Sequence, residues 1–179
     1  MKTLIVFILV SITCFSGISQ DSGFYTLKSE TIDGQEFCFD QLKGKKVMIV
    51  NTATKCSLSQ QFHALQELYT KFADIGFMVI AIPTNDFGRR EPGNNESIKN
   101  ACDKRFGITF PIMAKTTTEG PEIHPVFQWL TQKDKNEIRD SEIRWNFQKY
   151  LIDEKGVIVE ILEPMKKPDG DFTLSWLSK

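Results

Sequence analysis

The sequence predicts an α/β domain with a central mixed sheet flanked by helices. Three observations carry that reading. Two continuously apolar runs, Val47-Met48-Ile49-Val50 and Phe77-Met78-Val79-Ile80-Ala81-Ile82, read as strands buried on both faces. Between them, Phe62, Leu65, Leu68, Tyr69 and Phe72 recur at helical spacing on one face. Strand, helix and strand in that order make a right-handed βαβ unit with parallel strands. Later, residues 149–153 and 157–162 flank Glu154-Lys155-Gly156, a hairpin loop with glycine at its end, so the other half of the sheet is antiparallel.

The elements follow in order. Met1-Lys2-Thr3 is a short basic start, residues 4–10 are wholly apolar, and Gly17-Ile18-Ser19 offers small residues at a cleavage site. Residues 1–19 therefore read as a secretory signal peptide, too short for a permanent membrane span, and residues 20–179 as one domain of an exported protein, periplasmic or secreted. Cys14 admits a lipoprotein alternative, for which Ser11-Ile12-Thr13 is a poor recognition sequence. Residues 23–28 predict a short strand. Asp33-Gly34 turns the chain into a partner strand over residues 35–39. Alternation sets Cys38 on the face opposite Phe37 and Phe39 with no charge beside it, which favours a structural role.

The stretch from Asn51 to Gln61 follows the first core strand. Ser57 reads as a helix N-cap and Gln60 completes a Ser-x-x-Gln capping box. Cys56 then lies at a helix start beside Lys55, where free amides, the helix dipole and an ammonium favour a thiolate. The competing reading is a small buried hydrophobe. Residues 83–95 form a polar loop, residues 96–106 a short helix with Cys102 near its end, and residues 108–113 a further strand. His124-Pro125 opens a helix to Leu130, residues 131–142 are hydrophilic, and residues 171–179 close with an amphipathic helical turn containing Leu174, Trp176 and Leu177. A parallel βαβ half followed by an antiparallel hairpin and a helix is the thioredoxin-like arrangement.

Composition excludes several function classes. The formal net charge of −1 becomes −2 without Lys2, with no block of like charge, which argues against nucleic acid and against a polybasic membrane anchor. His63 and His124 stand apart and no Cys-x-x-Cys occurs, so neither a metal site nor a cofactor is expected. Beyond residue 19 three cysteines remain, Cys38, Cys56 and Cys102. An odd count in an exported chain points to one disulfide with a spare thiol, or to redox chemistry.

Three separated stretches resemble the glutathione peroxidase family. Asn51-x-Ala-x-Lys-Cys56 resembles its active-site segment. Asn85-Asp86-Phe87-Gly88 through Glu91-Pro92-Gly93 and Asn95-Glu96 resembles its second signature, and Trp145-Asn146-Phe147 with the strand after it resembles the third. Phe110-Pro111 and residues 124–130 fit the spacers. The resemblance implies a thioredoxin-like fold and a thiol-dependent peroxidase that reduces hydrogen peroxide or organic and lipid hydroperoxides. Cys56 would pass through a sulfenic acid, with the Trp145 indole N–H and the Asn146 amide as donors. Taken alone, Trp145 reads as a core aromatic and Asn146 as a turn residue.

Cys102 sits where cysteine-type members of the family carry a resolving thiol; the other reading is a buried helix cysteine. The family's glutamine is replaced by Arg90, which has donors but no acceptor. Its position in the like-charged pair Arg89-Arg90 predicts a side chain in water. The short segment 131–142 resembles monomeric members, which use a thioredoxin-like protein more than glutathione as reductant. Two alternatives stand beside the peroxidase: a thiol–disulfide relay or peroxide sensor using Cys56 and Cys102, and a relative weakened by Arg90.

Overall fold

The computed structural model describes residues 23–179, so the segment read as a signal peptide, with Cys14 and the Ser19 cleavage site, lies outside the described residues. Among the described residues, four strands form the main sheet in the order β4-β3-β5-β6. These are β3 (Lys46–Thr52), β4 (Phe77–Pro83), β5 (Lys149–Ile152) and β6 (Ile158–Leu162). β3 pairs parallel with β4 and antiparallel with β5, and β5 pairs antiparallel with β6. This is the expected mixed sheet. Its central strand is β3, flanked on both edges, which is why residues 47–50 are uniformly apolar.

Alternation along β3 divides the core in two. Met48 and Val50 face a layer built from α1 (Gln61–Phe72), α2 (Asn95–Ala101) and the C-terminal helix α5 (Asp171–Leu177). Val47 and Ile49 face Phe24, Phe39 and α3 (Pro125–Thr131), with the single turn α4 (Lys133–Asn136) following. Phe62, Leu65, Leu68 and Phe72 are the buried face of α1, each worth about 1.5–3 kcal/mol of apolar transfer. Tyr69 packs at the margin.

The hairpin forms as β1 (Lys28–Glu30) and β2 (Glu36–Cys38), with Gly34 at φ 78° in its turn. Three expectations change. Residues 23–26 form a 3-10 turn, not a strand, because neighbouring Phe24 and Tyr25 are both buried and a one-sided strand would expose one of them. Residues 108–113 make only isolated bridges, Ala81 with Ile112 and Thr31 with Met113. Pro111 O accepts from Ala81 N, but Pro111 has no N–H to donate back to β4, so the ladder stops there. Cys38 is half-buried as alternation predicts, but it does have charged neighbours. Its thiol donates to Glu36 Oε1 at 3.4 Å, and that bond raises its pKa, which keeps it a poor nucleophile.

Candidate active site

The chain reaches Cys56 from the carboxyl end of β3. The capping residue is not Ser57. Residues Ser57–Gln60 form a 3-10 turn ahead of α1, and Cys56 is its N-cap, with Sγ accepting from Leu58 N at 3.5 Å. The tighter turn brings the Leu58 amide round to face the sulfur, where a Ser57 capping box would have left it free. This is the one hydrogen bond to Cys56 Sγ among the described residues. Cys56 is 5% exposed, within the core layer that also holds Phe62 and Phe147.

Three segments interlace around this turn. The first clasp is Asn51. Its Nδ2 donates to Trp145 O at 3.1 Å, its Oδ1 accepts from Gln148 N at 3.0 Å, and its carbonyl accepts from Phe147 N at 2.7 Å. One residue thus binds the whole Trp-Asn-Phe-Gln stretch to the end of β3. Phe147 is buried at φ 68°, a left-handed conformation that costs about 1–3 kcal/mol for a side chain of this size. The Asn51 bonds and an edge contact with Phe62 hold it there.

The second clasp is Glu91, 1% exposed. Its carboxylate accepts from the Thr54 amide and, at 2.7 Å, from the Thr54 hydroxyl. The Lys55 amide donates to Arg90 O at 3.1 Å, so the 85–91 loop lies along the turn that leads into Cys56. The third segment joins this loop directly: Asn146 Nδ2 donates to Phe87 O at 3.0 Å, and the Phe87 and Trp145 rings lie 6.2 Å apart. Gly88, at φ 66°, packs under the Trp145 ring, where an added Cβ would stand 3.0 Å from the indole. Asn146 is fully buried, and its Oδ1 has no partner. Trp145 is 40% exposed.

The departures from the family pattern have visible places. Arg90 is exposed, as its like-charged neighbour predicts. Asp86, in the same signature, accepts from Thr118 N, Thr118 Oγ1 and Thr117 Oγ1 at 2.6, 2.8 and 3.1 Å. Burial pushes its carboxyl up, but the bonds from Thr118, Thr84 and Thr117 outweigh burial and hold it below the ordinary range.

Cys102 is 1% exposed, at the junction where α2 gives way to a π-helical turn, Cys102–Phe106. Burial, aided by the Glu91 and Asp103 charges, pushes its thiol up to about 12. It is therefore a thiol in this conformation. Cys38, Cys56 and Cys102 are all free. Among the described residues no group of three potential ligands could hold a metal ion, and no helix is long and apolar enough to cross a membrane.

Glu91 gives a pH signature. Burial raises its pKa, against the Thr54 bonds and the Lys115 and Lys55 charges. A carboxyl with a raised folded pKa binds its proton more tightly in the fold. Its contribution is thus full below the unfolded value and is lost as pH rises through the folded one. Glu91→Gln retains an acceptor for Thr54 and has no proton to lose. Denaturation midpoints of the two proteins should converge near pH 4, about the unfolded carboxyl value, and separate in the variant's favour at neutral pH. A constant offset would show that Glu91 does not titrate in this range.

Sequence reasoning assembled the Cys56, Trp145 and Asn146 segments but assigned no role to Asn51, Glu91, Gln61 or Lys149. A signal existed for Asn51, a polar residue directly after the apolar run Val47–Val50 of a buried strand.

Comparison with known proteins agrees with this geometry. The family model for glutathione peroxidase matches residues 24–131. The chain is 40% identical over 148 residues to the glutathione peroxidase-like peroxiredoxin gpx1 of Schizosaccharomyces pombe, covering 83% of this chain and 93% of that one. It is 38% identical over 150 residues to the hydroperoxy fatty acid reductase gpx1 of Synechocystis, covering 81% and 89%. Among solved structures it resembles Trgpx in apo form, with a TM-score of 0.67 at 26% identity over 87% of this chain and 95% of that one. T. cruzi GPX1 follows with a TM-score of 0.62 at 30% identity over 79% and 86%. With the three motifs laced into one site at the end of β3, the chain belongs to the glutathione peroxidase family and is a cysteine-type, thiol-dependent peroxidase of thioredoxin-like fold.

Proposed function

We propose that Cys56 is the peroxidatic residue and that Trp145 and Asn146 assist it. The observation that carries this reading is Cys56 Sγ at the start of a helix, accepting from the Leu58 amide where three family segments meet. The Cys56 thiolate attacks the outer oxygen of a hydroperoxide. The O–O bond breaks, Cys56 becomes a sulfenic acid, and the departing oxygen leaves as water or an alcohol after taking a proton. The Leu58 N–H faces the sulfur, and the 40% exposed Trp145 would offer its indole N–H to the departing oxygen. Active-site hydrogen bonds in a resting enzyme are commonly longer than in its reacting complex.

Cys102 completes the cycle as the resolving thiol. Its sulfur attacks the Cys56 sulfenic sulfur, an S–S bond forms and water leaves, and a dithiol reductant then restores both thiols. The π-helical turn at Cys102 supports this, because π-turns inside helices are frequent at functional sites. The substrates are hydrogen peroxide and organic hydroperoxides. The Synechocystis relative's name supports lipid hydroperoxides among them. The reductant is a thioredoxin-like protein, with glutathione as the second choice, and the enzyme acts as a monomer. The basic and apolar N-terminus supports export, which N-terminal sequencing of protein from the native host decides.

The deciding experiment is peptide mapping after a short peroxide pulse. A sulfenic-acid trap labels Cys56 first, and without the trap a Cys56–Cys102 disulfide appears. Cys102→Ser should still form the Cys56 sulfenic acid and then overoxidise to the sulfinic acid. Faster trapping at Cys102 or Cys38 would overturn the assignment, and wild-type sulfinic acid with Cys102 still free would remove Cys102 from the cycle.

A further inference from the structure

Lys149 is the first residue of β5, immediately after the segment that Asn51 clasps. It is completely buried. Its Nζ donates to Pro164 O at 3.1 Å and to Lys166 O at 2.6 Å. The Pro164 carbonyl has a second donor, Gln61 Nε2 at 2.8 Å, and Gln61 opens α1, the helix behind Cys56. Gln61 Oε1 is buried and accepts nothing. A buried ammonium has three N–H groups, and two of those on Lys149 are on carbonyls. Lys149 and Gln61, whose own acceptor is orphaned, thus share one carbonyl oxygen.

No carboxylate pairs with Lys149 among the described residues. On β6, Glu160 binds its own neighbour's amide, Ile161 N. In the loop after β6, Glu163 is bridged to Arg144 at 2.8 Å, and Lys166 contributes a carbonyl to Lys149. A charge buried without a counter-ion is expensive, and a methionine would fill the same volume without that penalty. The polar end of Lys149 therefore calls for a reason other than packing.

We propose that Lys149 is a positioning residue for the peroxidatic cysteine. Through the Pro164 carbonyl that it shares with Gln61, it locks the start of the Cys56 helix to the strand that follows Trp145 and Asn146. The lock works as follows. Asn51 fixes the Trp145–Gln148 stretch to β3 on the Cys56 side. Lys149 fixes the same stretch, one residue on, to the loop that holds Gln61 from behind. The thiolate and its donors are thereby held on both sides. Burial brings the Lys149 pKa down to about 7, so its bonds to the Pro164 and Lys166 carbonyls lose their charge assistance as pH rises through neutrality.

This inference rests on Cys56 as the peroxidatic residue, so the test separates the two. Quenched-flow measurement of Cys56 sulfenic acid formation by hydrogen peroxide is made on the full chain and on Lys149→Met, Gln61→Met and the double variant. Wild-type protein that forms no Cys56 sulfenic acid would refute the parent reading. Given wild-type reaction, Lys149→Met should react about tenfold more slowly, the scale expected for a small misplacement of a reacting group, while its unfolding midpoint holds or rises. The double variant should be no slower than the slower single variant, because both replacements break one lock.

The ratio of wild-type to Lys149→Met rate is taken per Cys56 thiolate, with the ionised fraction in each protein read from pH-dependent alkylation. It should be largest below about pH 7 and shrink above it. A ratio near one at every pH, additive losses in the double variant, or a loss independent of pH would each overturn the proposal. If Lys149→Met does not fold, Gln61→Met decides alone, through the same pH-dependent ratio.

Discussion

Cys56→Ser should abolish turnover of hydrogen peroxide, with a loss on the order of a thousandfold or more, as removal of a covalent nucleophile does elsewhere. Serine fits the turn, since its hydroxyl can accept from Leu58 N as the sulfur does. The fold and its unfolding midpoint should therefore stay close to wild type, within about 0.5 kcal/mol. What is lost is ionisation and polarisability: a hydroxyl stays protonated at neutral pH and has no sulfenic state. The measurement is peroxide consumption with a dithiol reductant, run beside Cys102→Ser. Cys102→Ser should keep the first oxidation and lose only the disulfide. Residual turnover above a tenth of wild type in Cys56→Ser would put the chemistry elsewhere.

Asn51→Ala should be the most damaging change outside the reacting groups. It removes the donor to Trp145 O and the acceptor for Gln148 N, both at least partly buried. An unsatisfied buried polar group costs about 1–3 kcal/mol, so the loss of stability should be roughly 2–4 kcal/mol. Without the side-chain bonds, only the Asn51 carbonyl and the Phe62 contact oppose the left-handed strain at Phe147, and the Trp145–Asn146 pair should drift from Cys56. Displacements of this kind cost about a hundredfold in rate. Urea denaturation gives the first number, and kcat/KM per folded molecule at low temperature gives the second. A stability loss with undiminished kcat/KM would make Asn51 a purely structural residue.

The mixed sheet was legible because β3 and β4 are buried on both faces and leave unbroken apolar runs, while Gly156 marks the β5–β6 hairpin. The strand expected at residues 108–113 was misread because apolar periodicity does not register the missing N–H of Pro111. The cap at Cys56 was misread for a related reason. Ser57 and Gln60 have capping-box spacing, but a 3-10 turn moves the cap one residue earlier and gives the role to sulfur.

The reacting residues lie in motifs and could be read locally. Their supports could not. Asn51, Glu91 and Lys149 act through partners 94, 37 and 15 residues away, so their roles exist only after folding. Glu91 and Lys149 also run against composition, since buried charged residues look like surface residues until their partners are known.

The bond between Asn51 and Gln148 spans 97 residues. A ribosome makes Cys56 long before it makes the other half of that clasp. The β3–α1–β4 unit is closed by local contacts, whereas the β3–β5 pairing waits for nearly the whole polypeptide and carries the larger loop-closure entropy. The sulfur's finished surroundings are therefore among the last features to form on the folding path. In stopped-flow chevrons, Asn51→Ala should accordingly speed unfolding and leave the folding limb almost unchanged. A chain cut short of β5 can contain every atom of the Cys56 turn and still lack an active site, so peroxide chemistry comes only with the completed protein.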